Sequence, residues 1–272
     1  MPDRDGIQGD VADPPAINTT VAHNARVWDY WLGGKDNFAV DRQVGDRISE
    51  TFPVISDVAR ASRQFLIRSV RHLAGEAGIR QFLDIGTGLP TANNTHEVAQ
   101  AVAPRSRVVY VDNDPLVLVH ARALLTSSPE GVTDYVDADV QDPDAVVAGA
   151  ARSLDLTAPV AVMMLGVLNF VLDDADARHI VTRVMAAVPS GSYLALSHPT
   201  LQLGGEMNGP AMAFWNERAT PKIRARSRAE VTTLLTGLEL VDPGLVSCPR
   251  WRPDDDTEAA EMPLWGAVAR KP

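Results

Sequence analysis

Short apolar runs alternate along the chain with longer stretches in which apolar residues recur at helical spacing. The runs are too short for helices and lie between polar or glycine-containing turns, which is typical of buried strands. Seven of them are found, at residues 82–85, 107–111, 134–136, 160–165, 192–197, 239–241 and 264–269. The alternation of strands with helical stretches predicts an α/β fold.

Cap residues mark several of the predicted helices. Asp173 precedes apolar residues at helical spacing, while Ser227 and Glu230 have the spacing of a capping box, with Gly237 placed to end that helix. The basic run at residues 222–228 is therefore interpreted as the lead-in to a helix, with a local anion-binding patch as the alternative. Long helical stretches are also predicted over residues 56–77 and 93–101, on either side of the first strand.

The turn after the first predicted strand carries the most specific chemical pattern. Asp84, Gly86, Thr87 and Gly88 form an Asp-x-Gly-x-Gly turn between a strand and a helix. Glycines let the backbone approach a ligand closely, and ligands of open α/β sheets bind at the carboxyl ends of the strands. A carboxylate at Asp84 can attract the ammonium group of S-adenosylmethionine (SAM), so this turn is predicted to contact that cofactor. A simple turn cap is the alternative interpretation of Asp84.

Acidic residues also follow the second and third predicted strands. Asp112 is predicted to accept hydrogen bonds from ribose hydroxyls, with Asn113 as a neighbouring contact, whereas Asp114 is interpreted as a helix N-cap. Asp139 is predicted to accept from the adenine amino group, and the backbone N–H of Val140 to reach a ring nitrogen. A solvated loop acid is the alternative interpretation of Asp139. Three strand ends in succession thus carry a carboxylate.

These motifs make the chain resemble a class I SAM-dependent methyltransferase, and in particular a family of S-adenosyl methyltransferases, found mainly in actinomycetes, whose substrates are largely undefined. The resemblance rests on residues 24–38, 82–91 and 109–115, and it continues from residue 226 to the end. It implies a three-layer Rossmann-like methyltransferase fold with a mostly parallel seven-stranded sheet, an antiparallel last strand and an N-terminal helical extension. It implies SAM as cofactor but no particular methyl acceptor. Pro90 stands where the broader class often has a third loop glycine, which leaves that contact open.

On this interpretation the chain has three segments. Residues 1–17 are expected to form a disordered or loosely ordered tail, residues 18–78 a helical extension or lid, and residues 79–272 the SAM-binding Rossmann-like domain. The aromatic residues of the extension indicate either closure over the cofactor or a fixed helix pinned on the core. Arg26 and Tyr30 lie one helical turn apart and are predicted, with Gly33, to contact the cofactor.

Candidate catalytic and acceptor-binding residues are placed around the later strands. His198, just after the fifth strand, is the first candidate for a general base, and His96, near the glycine turn, is the second; each has a structural role as its alternative. Gly166 is predicted to face the cofactor, and Asn169 and Trp215 to line the acceptor site. Methyl transfer from a sulfonium is an in-line displacement, so a base is needed only if the acceptor must lose a proton.

Composition narrows the class of partner. The 272 residues include 25 basic and 35 acidic ones, and the net charge of −10 disfavours nucleic acid and favours a small-molecule substrate. The single cysteine, Cys248, cannot form an internal disulfide, and no metal site is indicated. No apolar run is long enough to span a membrane and the N-terminus has no signal pattern, so a cytoplasmic protein is expected. The oligomeric state is not predicted.

Three functions stay open at this stage. The first is a SAM-dependent methyltransferase acting on a small molecule, and the second is a SAM-binding regulatory or scaffold protein without turnover. The third is an NAD-dependent oxidoreductase. The glycine turn disfavours the third function, because the dinucleotide fingerprint has a glycine where this chain has Thr91 and usually a hydrophobic residue where it has Asp84.

Overall fold

The computed structural model describes residues 18–124, 127–254 and 259–272, so the predicted tail at residues 1–17 lies outside the described residues. Within these ranges the strands are β1 (Ala22–His23), β2 (Gln81–Ile85), β3 (Arg107–Asp112), β4 (Val132–Asp137), β5 (Ala161–Leu165), β6 (Tyr193–Pro199), β7 (Ala219–Thr220), β8 (Glu239–Leu240), β9 (Val246–Ser247) and β10 (Leu264–Arg270). The α-helices are α1 (Asn24–Trp31), α2 (Ala39–Thr51), α3 (Ile55–Gly75), α4 (Thr95–Val102), α5 (Pro115–Leu124), α6 (Pro143–Ala150), α7 (Asp174–Ala186), α8 (Asn208–Arg218) and α9 (Arg228–Leu234). A short 3-10 turn at Leu168–Phe170 follows β5.

The central sheet has the strand order β4-β3-β2-β5-β6-β10-β8, and β9 pairs separately with β10. Strands β2 to β6 pair in parallel, whereas β10 runs antiparallel to both β6 and β8. The mostly parallel sheet with an antiparallel last strand is therefore confirmed, and β9 adds an eighth strand to the seven predicted ones. The strand order reverses at β2, and such a switch point leaves a crevice for a ligand at the carboxyl ends of the strands.

Helices cover both faces of the sheet, so the fold has three layers. The alternation of side chains along β2 directs Phe82 toward α3 and α4, and Leu83 and Ile85 toward α6, α7 and α9. All five residues of β2 are buried, which is expected for a central parallel strand covered on both sides. Asp84 lies on the same face of the sheet as Phe82, so its carboxylate lies beneath α3 and α4.

The N-terminal extension pairs with a later strand and is held together by a buried carboxylate. Strand β1 pairs in parallel with β7 in a separate two-stranded sheet. Inside the extension, the fully buried Asp41 accepts hydrogen bonds from Arg26 Nε at 2.8 Å, from Phe38 N at 2.8 Å and from His23 N at 3.0 Å. A buried carboxylate with three donors fixes the start of α2 against α1.

The seven predicted strands are confirmed to within a few residues, and so are two predicted caps. Asp173 accepts from two backbone N–H groups at the start of α7, and Ser227 with Glu230 forms the capping box of α9. Strands β1, β7 and β9, of two residues each, were not predicted. None of the helices in the described ranges is long and apolar enough to cross a membrane.

The basic run at residues 222–228 leads into α9 and has a structural role, as its position before the capping box indicates. Arg224 forms ion pairs with Asp174 and Glu230, and Arg226 is buried with its Nε bonded to Asp174. With these partners, the two arginines join α7 to the chain before α9. They therefore do not form an exposed anion-binding patch.

Candidate functional site

A cavity of about 270 Å³ lies over the carboxyl ends of β2, β3 and β5, beneath the N-terminal extension. Its floor comes from the sheet, with the glycine turn after β2, Asp112 and Asn113 at the end of β3, and residues 165–167 at the end of β5. Its roof comes from α1, α2 and α3, and one side is closed by α8. The location agrees with the switch point of the sheet.

The glycine turn brings backbone to the floor of this cavity. Gly86 and Gly88 have φ values of +75° and +67°, which a residue with a side chain rarely adopts. A Cβ atom on Gly86 would stand 2.5 Å from the side chain of Val167, so glycine is required there for packing as well. The Gly86 N–H donates to the carbonyl oxygen of Val111 at 2.8 Å, which joins the turn to β3.

Asp84 lies at the end of β2 with only 6% of its surface exposed. Its Oδ2 accepts a hydrogen bond of 2.6 Å from the Thr95 hydroxyl at the start of α4. Burial raises the pKa of Asp84 to about 6, against the opposing effects of the Thr95 hydrogen bond and the positive charge of Arg63. The site thus keeps a poorly solvated carboxylate at the cavity, an arrangement that a cationic ligand group would stabilise.

Arg63 is a cavity residue that the sequence analysis did not identify. Its Nε and Nη2 donate to the carbonyl oxygen of Ala92, at 3.1 and 3.0 Å, and its Nη2 also donates to Asn94 Oδ1 at 2.8 Å. No described residue accepts from Nη1. Burial lowers the pKa of Arg63, and the carboxylate of Asp84 opposes that effect. Nothing in the local sequence distinguishes Arg63 from the other polar residues of a long amphipathic helix.

Asp112 occupies the tip of β3 beside the glycine turn. Its Oδ2 accepts from the Gly88 N–H and its Oδ1 from the Asp114 N–H, both at 2.9 Å. Burial raises the pKa of Asp112, and these two backbone hydrogen bonds oppose that rise. Each carboxylate oxygen can accept a further hydrogen bond, so Asp112 keeps acceptor capacity toward the cavity. Asp114 caps α5 as predicted, by accepting from the Leu116 N–H at 2.9 Å.

Asp139 and Val140 do not line the cavity, although Asp139 is linked to it. Asp139 Oδ2 accepts from the side-chain amide of the cavity residue Asn113 at 2.8 Å, and its Oδ1 accepts from the Gln141 N–H at 2.8 Å. Asp139 is therefore placed at the rim, one side chain away from the cavity. The adenine contact of this strand end stays a prediction.

Three residues of the extension that are predicted to contact the cofactor do not line the cavity. Arg26 is buried against Asp41, and Tyr30 donates its hydroxyl hydrogen bond to Asp46 at 2.6 Å. Gly33 follows α1 with a φ of +83°, which suits the end of a helix. Helical spacing places Arg26 and Tyr30 on the same side of α1, but it does not determine whether that side faces a ligand.

Other residues of the extension take their place. Asp29 lines the cavity and is 4% exposed, and its Oδ2 accepts from the Asp36 N–H and the Asn37 amide, both at 2.9 Å. His23 also lines it, and its Nδ1 lies 3.0 Å from Asp114 Oδ2. The extension thus contributes both a carboxylate and an imidazole to the cavity wall.

The two candidate general bases both lie outside the cavity lining. His198 is fully buried, with Nε2 2.8 Å from Arg226 Nη1 and Nδ1 2.9 Å from the Pro199 carbonyl oxygen. Burial lowers the pKa of His198 to about 4, and Arg226 contributes to that effect. The His96 ring is 2% exposed and its Nδ1 lies 2.9 Å from the Tyr110 hydroxyl. Neither histidine is placed to take a proton from a ligand in the cavity.

The wall opposite the glycine turn is apolar and rich in aromatic rings. The predicted acceptor residues Asn169 and Trp215 both line the cavity, and so does Gly166. Trp215 is 3% exposed and donates its indole N–H to the Pro221 carbonyl oxygen at 2.8 Å, which leaves its ring as a packing surface. The other apolar side chains of this wall include Trp28, Trp31, Ile48, Phe52, Val58, Leu66, Phe170, Met212, Ile223 and Leu264.

Besides His23 Nδ1, two buried polar atoms of the cavity lining have no hydrogen-bond partner among the described residues. They are Thr87 Oγ1 in the glycine turn and Asn169 Oδ1 after β5. Buried polar groups are rarely left unpaired, because each costs about 1–3 kcal/mol. The cavity is therefore built to receive a ligand with polar groups at both places. Among the described residues, no group of three or more His, Cys, Asp or Glu side chains is arranged to hold a metal ion.

Comparison with known proteins identifies related chains. A family model described as S-adenosyl methyltransferase matches residues 10–272. A DUF574 family protein from Streptomyces avermitilis is 47% identical, with a TM-score of 0.89, over 93% of this chain and 99% of that chain. A candidate methyltransferase from Thermobifida fusca is 38% identical, with a TM-score of 0.87, over 96% of this chain and 99% of that one.

A more distant crystal structure shares the fold. Human N-acetylserotonin methyltransferase, determined in complex with SAM, is 15% identical, with a TM-score of 0.51, over 90% of this chain and 62% of that one. Among proteins with curated descriptions, none matches the chain significantly.

Proposed function

Because the chain belongs to the S-adenosyl methyltransferase family, we propose that its cavity holds SAM across the tips of β2 and β3, with the methyl group directed toward the aromatic wall. The protein is a SAM-dependent methyltransferase of Rossmann-like fold. The observation that carries the placement is the pair of carboxylates, the buried Asp84 and the half-buried Asp112, on adjacent strand tips of one cavity. The unpaired Thr87 hydroxyl belongs to the glycine turn of the same cavity.

The adenosine end is assigned to the tip of β3. Asp112 accepts hydrogen bonds from the two ribose hydroxyls, while its existing bonds to Gly88 N–H and Asp114 N–H hold it in place. Asn113 and the rim residue Asp139 lie beyond it on the side where the adenine would extend, and the backbone of Val140 follows. The backbone at Gly166, after β5, borders the cofactor from the other side.

The methionine end is assigned to Asp84 and Arg63. The ammonium group is attracted to the carboxylate of Asp84, and the carboxylate group is attracted to the guanidinium of Arg63, whose Nη1 has no acceptor among the described residues. These opposite charges match a zwitterionic amino acid. They also explain why the chain keeps a buried carboxylate whose burial alone is unfavourable.

Bound SAM supplies an electrophilic methyl group on a sulfonium, and the chain's own residues position and shield it. Asp112, Asp84 and Arg63 fix the two ends of the cofactor, so the direction of the methyl group is set by the floor of the cavity. The roof, formed by residues of the proposed extension at 18–78, limits water at the reacting atoms and strengthens these charge interactions. We assign residues 79–272 to the cofactor-binding domain. Its acceptor side faces Trp215 and Asn169.

Replacing Arg63 by methionine is expected to weaken S-adenosylhomocysteine (SAH) binding by roughly tenfold or more, because a hydrogen bond to a charged group contributes about 1.5–3 kcal/mol. Binding of 5′-methylthioadenosine, which lacks the amino-acid group, is expected to change little. Calorimetric titration of both ligands separates the two effects. Arg60→Met, an exposed arginine of the same helix paired with Asp57, is the matched control. Equal losses for both ligands would contradict the assignment of Arg63.

The proposed function is tested by thermal shift with SAM and with NAD. A ligand that binds only the folded state raises the melting temperature with increasing concentration. We expect SAM and SAH to do so and NAD to have no effect, since the turn has Asp84 where a dinucleotide site usually has a hydrophobic residue. Stabilisation by NAD, or none by SAM, would contradict it. A small-molecule acceptor, the absence of nucleic acid among the partners and a cytoplasmic location stay predictions from composition.

A further inference from the structure

We propose that Asn169 recognises the methyl acceptor through its side-chain carbonyl oxygen, and that the acceptor is a small, uncharged aromatic amine whose N–H donates to it. This inference rests on the proposed function, because it places the acceptor beside SAM in the same cavity. Asn169 is 6% exposed, lines the cavity, and its Oδ1 has no partner among the described residues. A buried acceptor of this kind is stabilised when a donor group reaches it.

The turn that carries Asn169 is held in place by a buried arginine. Arg226 Nη1 donates to the Leu168 carbonyl oxygen at 2.8 Å and its Nη2 donates to the Val171 carbonyl oxygen at 2.7 Å. The Arg224 N–H donates to the backbone oxygen of Asn169 itself at 2.8 Å. The backbone on both sides of Asn169 is thus fixed while its side-chain oxygen is left unpaired. This preorganised acceptor is what a recognition group requires.

The aromatic wall defines the body of the acceptor. Rings of Trp28, Trp31, Phe52 and Trp215 face the cavity, and flat apolar ligands gain most from packing against such rings. An uncharged ring system fits this wall, whereas a charged acceptor would lose its hydration against these rings.

The titratable groups of the wall favour nitrogen over oxygen as the attacked atom. Those described are His23, Asp29, Arg63, Asp84 and Asp112; the last four each have a hydrogen-bond partner, and His23 Nδ1 lies 3.0 Å from Asp114 Oδ2. A hydroxyl nucleophile would place its single proton on the Asn169 amide, which cannot take it up. An aromatic amine is neutral at pH 7, so it can donate one N–H to Asn169 and still direct its lone pair at the methyl group.

The reaction then balances without a protein base. The nitrogen lone pair forms the N–C bond as the C–S bond breaks. The electron pair of the C–S bond stays on sulfur, which gives SAH. The product is an N-methylarylammonium ion, which is acidic enough to release its proton to water after transfer. Asn169 orients the amine throughout and takes no proton.

Three matched probes test the inference: 1-aminonaphthalene, 1-naphthol and 1-methylnaphthalene. On protein saturated with SAH, we expect the amino compound to bind roughly tenfold more tightly than the methyl compound, the value of one hydrogen bond to a buried acceptor. With SAM, we expect methylation of the amino compound and none of the naphthol. Equal binding of the amino and methyl probes, faster methylation of the naphthol, or no transfer to any probe would overturn the inference.

Variants separate this role from folding and from cofactor binding. Asn169→Leu is expected to remove the preference for the amino over the methyl probe while SAH affinity stays unchanged, and Asn169→Asp, which keeps an acceptor oxygen, is expected to retain most of it. Asn208→Leu is the control, since this buried cavity amide already donates to the Thr200 carbonyl oxygen at 2.7 Å. We expect it to lower stability and leave the probe preference intact. If Asn169→Leu binds SAH and still prefers the amino probe as the wild type does, only the inference about Asn169 is overturned. If the wild-type protein does not bind SAH, the proposed function is overturned as well.

Discussion

Replacing Asp112 by alanine is expected to lower the affinity for SAH by about a hundredfold or more. Two ribose hydrogen bonds to a carboxylate are lost, each contributing about 1.5–3 kcal/mol. The change also removes the acceptor of the Gly88 N–H, so the glycine turn loses one of its anchors. Calorimetric titration with SAH measures the effect, and 5′-methylthioadenosine should lose as much because it keeps the ribose.

Asp137→Ala provides the matched control for Asp112. Asp137 pairs in register with Asp112 at the tip of the neighbouring strand, but it is exposed and does not line the cavity. We expect its replacement to leave SAH affinity within about twofold, since surface changes of this kind have small effects. Similar losses in both variants would show that net charge, rather than the ribose contact, determines affinity, and unchanged affinity in Asp112→Ala would refute the ribose assignment.

Replacing Asp84 by asparagine is expected to stabilise the cofactor-free protein and to weaken SAH binding at the same time. The pKa of Asp84 is about 6 in the folded chain against 3.8 for the ordinary group, so ionising it above pH 6 costs the folded state about 3 kcal/mol. Asparagine is neutral and can still accept from the Thr95 hydroxyl. We expect urea denaturation at pH 7.5 to show a gain of that order, and SAH affinity to fall roughly tenfold or more.

The pH dependence of stability tests the effect of Asp84→Asn independently. Because the folded state binds the Asp84 proton more tightly than the unfolded state, this group makes the wild-type protein less stable as pH rises from about 4 to about 6. The stability gain of Asp84→Asn should therefore vanish near pH 4. SAH affinity of the wild type should fall as pH drops through about 6, because a protonated Asp84 no longer attracts the ammonium group. A variant that is less stable than the wild type at pH 7.5 would instead support a turn-capping role.

The cavity floor could be predicted from the sequence because parallel strands end at one edge of a sheet. Asp84 and Asp112 close two adjacent strands, and their register brings them to the same cavity. Asn169 and Trp215 both line the cavity for a related reason, since they lie in segments that follow strands of the sheet. Strand topology thus converts a linear pattern into a spatial one.

The roof could not be predicted in the same way, because it depends on which side of each helix faces the ligand. Arg26 and Arg63 are both polar residues of amphipathic helices, yet Arg26 pairs with the buried Asp41 and Arg63 lines the cavity. His198, which belongs to β6, lies outside the cavity lining for a similar reason, since side chains alternate along a strand and His198 points to Arg226. Tertiary contacts decide these cases, and no local pattern records them.

The most direct test of the account is a crystal structure of the protein with bound SAH. We expect the ribose hydroxyls within hydrogen-bond distance of Asp112, the amino-acid group between Asp84 and Arg63, and the sulfur facing the wall that carries Asn169 and Trp215. A ligand bound elsewhere, or bound in the cavity with its ribose away from Asp112, would contradict it.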